Sequence, residues 1–93
     1  MIEKRQKAAA LQYDPNRESV PKVTANGKGL IAENIIEKAK MNDVPIIEDP
    51  SLVELLAELN INEKIPQELY QAVAEVFAFI YHTDQQLNDE EKN

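Results

Sequence analysis

Ninety-three residues, 43% of them hydrophobic and 29% charged, make the composition of one folded domain and not of a disordered chain. The absence of Cys removes a disulfide framework and any thiolate metal site, and a single His, His82, removes a multi-histidine cage. No cofactor is expected. No apolar run approaches the ~20 residues of a membrane span, and the charged start Met1-Ile2-Glu3-Lys4-Arg5-Gln6-Lys7 has no apolar stretch behind it to make a secretory signal. The chain is expected to be soluble and cytoplasmic.

The net charge of −7 argues against a nucleic-acid partner, because phosphate contacts need a basic face. The charge is unevenly placed. Residues 1–28 carry six Lys or Arg against three acids, and residues 29–93 carry four against fourteen. Such an asymmetry is either an acidic solvated surface or a means of orienting the domain on a larger assembly.

In chain order, residues 1–7 are polar and expected to be a flexible N-terminal segment. Ala8 to Asp14 read as a short strand, with Leu11 and Tyr13 alternating and Asp14-Pro15-Asn16 as the turn. Pro21-Lys22-Val23-Thr24-Ala25 reads as a second strand entered through a proline. Asn26-Gly27-Lys28-Gly29 lacks both the dinucleotide fingerprint and the Walker Lys-Ser/Thr pair. It reads as a tight strand-to-helix turn in which Asn26 caps the next helix.

That helix is predicted over residues 30–42, with Leu30, Ile31, Ile35, Ile36 and Ala39 as its apolar stripe. Val44-Pro45-Ile46-Ile47 reads as a short buried strand, parallel in a βαβ unit. Asp49-Pro50-Ser51 starts a second helix, with Ser51 and Glu54 in a capping-box pattern and Leu52, Leu55, Leu56 and Leu59 on one face. Pro66 opens a third and longest helix, whose core stripe is Leu69, Val73, Val76, Phe77 and Ile80 with Tyr70 and Tyr81 beside it. The folded domain spans residues 8–83, and residues 84–93 are expected to be a disordered acidic tail. The order β-β-α-β-α-α is that of a small α/β domain, a short mixed sheet packed with helices.

The residues offer little for catalysis. Ser19, Ser51, Thr24 and Thr83 are the hydroxyls, with His82 as the one imidazole. Glu48 with Asp49, and Asp89 with Glu90 and Glu91, are the carboxylate groupings, and neither has the alternation of a calcium loop. A small hydrolase would need a convergent polar pocket around His82 or around Glu48 and Asp49. The pattern favours a binding module over an enzyme.

Specific strings add to this. Leu11-Gln12-Tyr13-Asp14, Val20-Pro21-Lys22-Val23 and Gly27-Lys28-Gly29-Leu30-Ile31-Ala32 resemble the cytoplasmic domain of the FlhB/YscU family. So do Val44-Pro45-Ile46-Ile47-Glu48 with Pro50 and Leu52, and Ile65-Pro66 leading into Glu68-Leu69-Tyr70-Gln71-Ala72-Val73-Ala74-Glu75-Val76. The resemblance covers about residues 8–82. These are export proteins of flagellar and virulence type III secretion systems. In the family the domain follows a membrane anchor and cleaves itself at an Asn-Pro-Thr-His motif, where the Asn side chain cyclises onto its own carbonyl. Cleavage accompanies a switch in which subunits are exported.

Counting back from Tyr13, the motif positions here hold Glu3-Lys4-Arg5-Gln6, so no self-cleavage is expected. The anchor and the strand that precede the motif have no counterpart in these residues, and the resemblance is to stand-alone FlhB-like proteins. It implies a non-enzymatic accessory module of the flagellar export apparatus, peripheral at the export gate and not itself membrane-spanning. Its implied partners are apparatus components and export subunits, with a strand from a full-length homologue as a further partner at the sheet edge. The implied docking pocket is Val20 and Pro21 with Ala74 and Phe77. The alternative is a small soluble regulatory adaptor with the same fold and no export role.

Overall fold

Two strands, β1 (Lys7–Gln12) and β2 (Lys22–Lys28), pair antiparallel, and everything else packs on this ribbon. The computed structural model describes residues 6–14, 16–17 and 20–92, and of residues 82–92 the backbone only. The pairing runs from Lys7 opposite Lys28 to Gln12 opposite Lys22, with a bulge between Ala10 and Leu11 that leaves Thr24 as the extra residue. The Thr24 hydroxyl donates to the Ala10 carbonyl at 3.4 Å.

Strand alternation and register sort the side chains onto two faces. Lys7, Ala9 and Leu11 share one face with Lys28, Asn26 and Val23, while Ala8 and Ala10 share the other with Gly27 and Ala25. Helix α1 (Leu30–Met41) lies over the second face, where Ala8 and Ala32 are buried. Gly27 makes this close approach possible, since a Cβ there would collide with the Ile31 side chain. Helices α2 (Pro50–Leu56) and α3 (Tyr70–Lys92) cover the first face. Val20, Val23, Leu52, Leu56, Ile65 and Val73 form the core there. The ribbon is thus the middle layer of three.

The polar side chains agree with this assignment. Lys7 pairs with Glu54 of α2 at 3.3 Å and Lys28 with Glu58 just beyond it at 3.1 Å. The Asn26 side-chain amide donates to the carbonyls of Leu56 and Leu59 at 3.1 and 2.7 Å, satisfying orphan acceptors at the end of α2. Asn26 therefore lies within β2 and does not cap α1. Gly29, with φ of 61°, is the residue at that helix start. At α2 the cap is Asp49 and not Ser51: its carboxylate accepts from the Leu52 N–H at 3.0 Å, with Pro50 opening the first turn.

The small α/β class is as expected, with two corrections inside it. Among the described residues the sheet is antiparallel and two-stranded, not mixed, because residues 44–47 form no strand. Val44, Ile46 and Ile47 are 52%, 44% and 38% exposed. The outer edge of β2 is taken by other residues: the Asn62 N–H donates to the Val23 carbonyl at 2.7 Å, and Lys22 bridges Lys64. The second correction concerns α3, whose backbone remains helical through Lys92 where a disordered acidic tail was expected. Extending an existing helix avoids the cost of nucleating one.

At the other end, Lys7 already belongs to β1, and Gln6 accepts from the Gly29 N–H at 2.8 Å. The rest of the expected flexible segment lies outside the described residues. The apolar stripes are also narrower than predicted. Leu30 and Ile31 on α1 and Leu55 on α2 are exposed, while Val73 on α3 is fully buried.

Candidate docking pocket

The approach to β2 and the first turns of α3 leave a cavity of about 240 Å³ between them, lined by Tyr13, Val20, Pro21, Tyr70, Ala74 and Phe77. The four residues implied by the family resemblance, Val20, Pro21, Ala74 and Phe77, all meet here. Their convergence has a local cause on each side. Pro21 keeps Val20 extended as the chain enters β2, and Val20 is buried against the core. On α3, Tyr70, Ala74 and Phe77 stand at i, i+4 and i+7, one stripe of the helix. A short turn of 3₁₀ helix, Gln67–Leu69, precedes that stripe. Ala74 is the gap in the stripe: its methyl group leaves open the space that a larger side chain would occupy.

Tyr13 and Tyr70 are the lining residues that pocket reasoning missed. Tyr13 follows β1, and its ring meets Phe77 with centroids 5.6 Å apart and planes tilted by 54°, within the favourable range of separation for an aromatic pair. The signal for Tyr70 was present in the sequence, four residues before Ala74 on the same stripe. Nothing local marked Tyr13, because its contact with Phe77 spans most of the chain.

Apart from two phenol hydroxyls, the lining side chains are hydrocarbon. An apolar side chain seated here would release water and bury apolar surface.

The other candidate residues do not converge. Thr24 is engaged with Ala10, Asp49 with α2, and Ser51 stands exposed in the first turn of that helix. Ser19 lies outside the described residues, as do the side chains of His82, Thr83, Asp89, Glu90 and Glu91. Among the described residues, no cluster of three or more His, Cys, Asp or Glu could hold a metal ion. No helix of the described residues is long and apolar enough to cross a membrane.

Residues 5–80 match the family described as FlhB HrpN YscU SpaS. The chain is 48% identical over 83 residues to YlqH of Bacillus subtilis strain 168, covering 89% of each. It is 47% identical over 75 residues to the flagellar biosynthetic protein FlhB of Escherichia coli K12, covering 80% of this chain and 20% of that protein. The chain thus spans about a fifth of such full-length FlhB relatives. Among solved structures, the cytoplasmic domain of FlhB from Shewanella putrefaciens superposes with a TM-score of 0.82 at 30% identity, over 89% of this chain and 65% of that one. The C-terminal domain of PscU superposes with a TM-score of 0.75 at 27% identity, over 80% and 95%.

Proposed function

Because the chain belongs to the FlhB HrpN YscU SpaS family, we propose that it is a non-enzymatic accessory module of the type III protein export apparatus. In this reading it receives an apolar segment of an exported subunit in the pocket between Pro21 and α3. The observation that carries the proposal is the convergence of Val20, Pro21, Ala74 and Phe77 on one apolar cavity. A pocket rimmed by aromatic rings and opened by one alanine suits a side chain presented by an extended or unfolded chain. Affinity there would come from apolar burial of about 25 cal/mol per Å², offset by ordering of the bound segment. The module acts at the cytoplasmic face of the membrane, peripheral to the gate.

Self-cleavage by the family route is not part of the proposal, because Glu3, Lys4, Arg5 and Gln6 occupy the motif positions and supply no Asn to cyclise. Prolonged incubation should return a single species of full mass, and two fragments would overturn this part.

The export role is tested by deleting the gene in a flagellated host and scoring swimming, hook length and secreted subunits. Deletion is expected to lower subunit export. Wild-type protein should restore it, and Ala74→Leu, which fills the pocket from an exposed position on α3, should not. Unchanged swimming and hooks after deletion would favour the adaptor reading instead.

A further inference from the structure

We infer that Asn26 with Gly27 is a self-modification site: the chain loses the Asn26 amide to its own backbone in molecules whose β2 opens, and the modified chain does not regain the native contacts. Neither the pocket nor an export role enters this inference. It rests on two neighbouring residues of β2 that the fold uses for different purposes. The Asn26 side chain reaches α2, donating to the Leu56 and Leu59 carbonyls at 3.1 and 2.7 Å. Gly27 turns to the other face and admits the Ile31 side chain where a Cβ would collide. Together they make the one Asn-Gly pair of the sequence. Glycine is the successor that least obstructs attack on an asparagine side chain, since it has no Cβ and leaves the backbone free to turn.

Water is the one co-reactant. The Gly27 backbone N–H gives its proton to hydroxide, and the nitrogen attacks Asn26 Cγ. A bond from that nitrogen to Cγ closes a five-membered succinimide. The Cγ–Nδ2 bond breaks, and the side-chain nitrogen takes a proton from water and leaves as ammonia. A second water then opens the ring at either carbonyl. One opening leaves an aspartate. The other leaves an isoaspartate, whose main chain runs through the former side chain and is one atom longer.

The native fold holds both participants away from this step. The Gly29 N–H donates to the Gln6 carbonyl at 2.8 Å, and the register runs on from there through Lys7 opposite Lys28 to Ala8 opposite Gly27. Hydrogen-bonded and non-bonded pairs alternate along an antiparallel ladder, so the Gly27 N–H is tied to the Ala8 carbonyl and does not ionise freely. Asn26 is extended within β2, and its side chain stands out from the ribbon towards α2 while its attacker lies in the plane of the ladder. Freeing both means lifting β2 from α2 and from β1 together. Return is then blocked. Neither product has an amide to donate to the Leu56 and Leu59 carbonyls, and the longer main chain of the isoaspartate also moves Gly27 out of register with Ala8.

The full chain is incubated at mildly alkaline pH, folded and in urea, and followed by peptide mass spectrometry, with isoaspartate detected by enzymatic methylation. In urea, Asn26 is expected to lose its amide faster than Asn34, Asn42, Asn60 and Asn62, none of which precedes a glycine. In the folded chain the loss at Asn26 should slow by at least roughly a hundredfold, because only open molecules react. Leu56→Ala, which weakens the hold of α2 on the ribbon, should raise the folded-state rate by roughly tenfold or more. Asp49→Ala, which removes only the cap of that helix, should raise it less. Modified molecules should unfold at lower denaturant than unmodified ones, with Asn26→Asp as the standard for one of the two products. Asn26 intact in urea while another asparagine reacts would overturn the inference. So would equal rates in the folded and unfolded chain, or modified molecules that unfold with the unmodified. A folded-state rate unmoved by both Leu56→Ala and Asp49→Ala would overturn it as well, because the reaction would then need no opening of β2.

Discussion

The two faces of the β1–β2 ribbon are held by different means. On the α2 and α3 face, large aliphatic side chains interlock and polar groups tie helix to strand: Val23, Leu56 and Val73 are buried, and Asn26 holds two carbonyls beyond. On the α1 face the contact is between small groups. Ala8, Gly27 and Ala32 allow the helix to come close, with the Ile31 side chain against Gly27, Ile35 and Ile36 half-buried, and Leu30 outside. Packed volume stabilises the first face, and fit between backbones stabilises the second. Substitutions should therefore behave oppositely on the two, with loss of side chain harmful on one and gain of side chain harmful on the other.

The largest effect is expected from Leu56→Ala, which empties a side chain only 4% exposed and should cost about 2–5 kcal/mol in denaturant melts. A loss below about 1 kcal/mol would show that this face is not the main core. Asn26→Asp comes next at about 3 kcal/mol, because it replaces a donor with a carboxylate aimed at the Leu56 and Leu59 carbonyls. Asn26→Ala should be milder, and the reverse order of the two would mean that the amide is not the tie. Gly27→Ala tests the α1 face from the other direction. The added methyl group meets Ile31, and rotating that side chain does not relieve contact with its Cβ, which the helix backbone fixes. The helix must lift, at about 1–3 kcal/mol. Asp49→Ala removes the N-cap of α2 and should cost about 1 kcal/mol.

The same contrast explains what the sequence made legible. Periodicity found every helix, because burial on one side imposes spacing that survives in the residue order. On α3 it also found the core residue, Val73, and with the resemblance it gathered Val20, Pro21, Ala74 and Phe77 into the pocket. On α1 periodicity misled. Leu30 opens the predicted stripe yet is exposed, while Ala32, outside that stripe, is fully buried, and alanine hardly registers in such a pattern. The strand expected at residues 44–47 failed for a related reason. Val44, Ile46 and Ile47 have the composition of a buried strand, but composition cannot supply the neighbouring chain that a ladder requires. Asn26 was assigned as a cap because Asn before a helix commonly is one; its real partners lie some thirty residues away, where no local rule reaches. Tyr13 entered the pocket by the same kind of distant contact.

The smallest expected effect separates the two faces most sharply. Leu30→Ser removes a large apolar side chain from the first turn of α1, and on the opposite face a comparable change would be severe. Leu30 is 76% exposed, so little packing is lost and the serine remains hydrated. The melting midpoint should correspond to a change within about 0.5 kcal/mol, in either direction. A loss of more than about 1.5 kcal/mol would place Leu30 in a packed environment and remove the distinction between a face held by volume and one held by close approach.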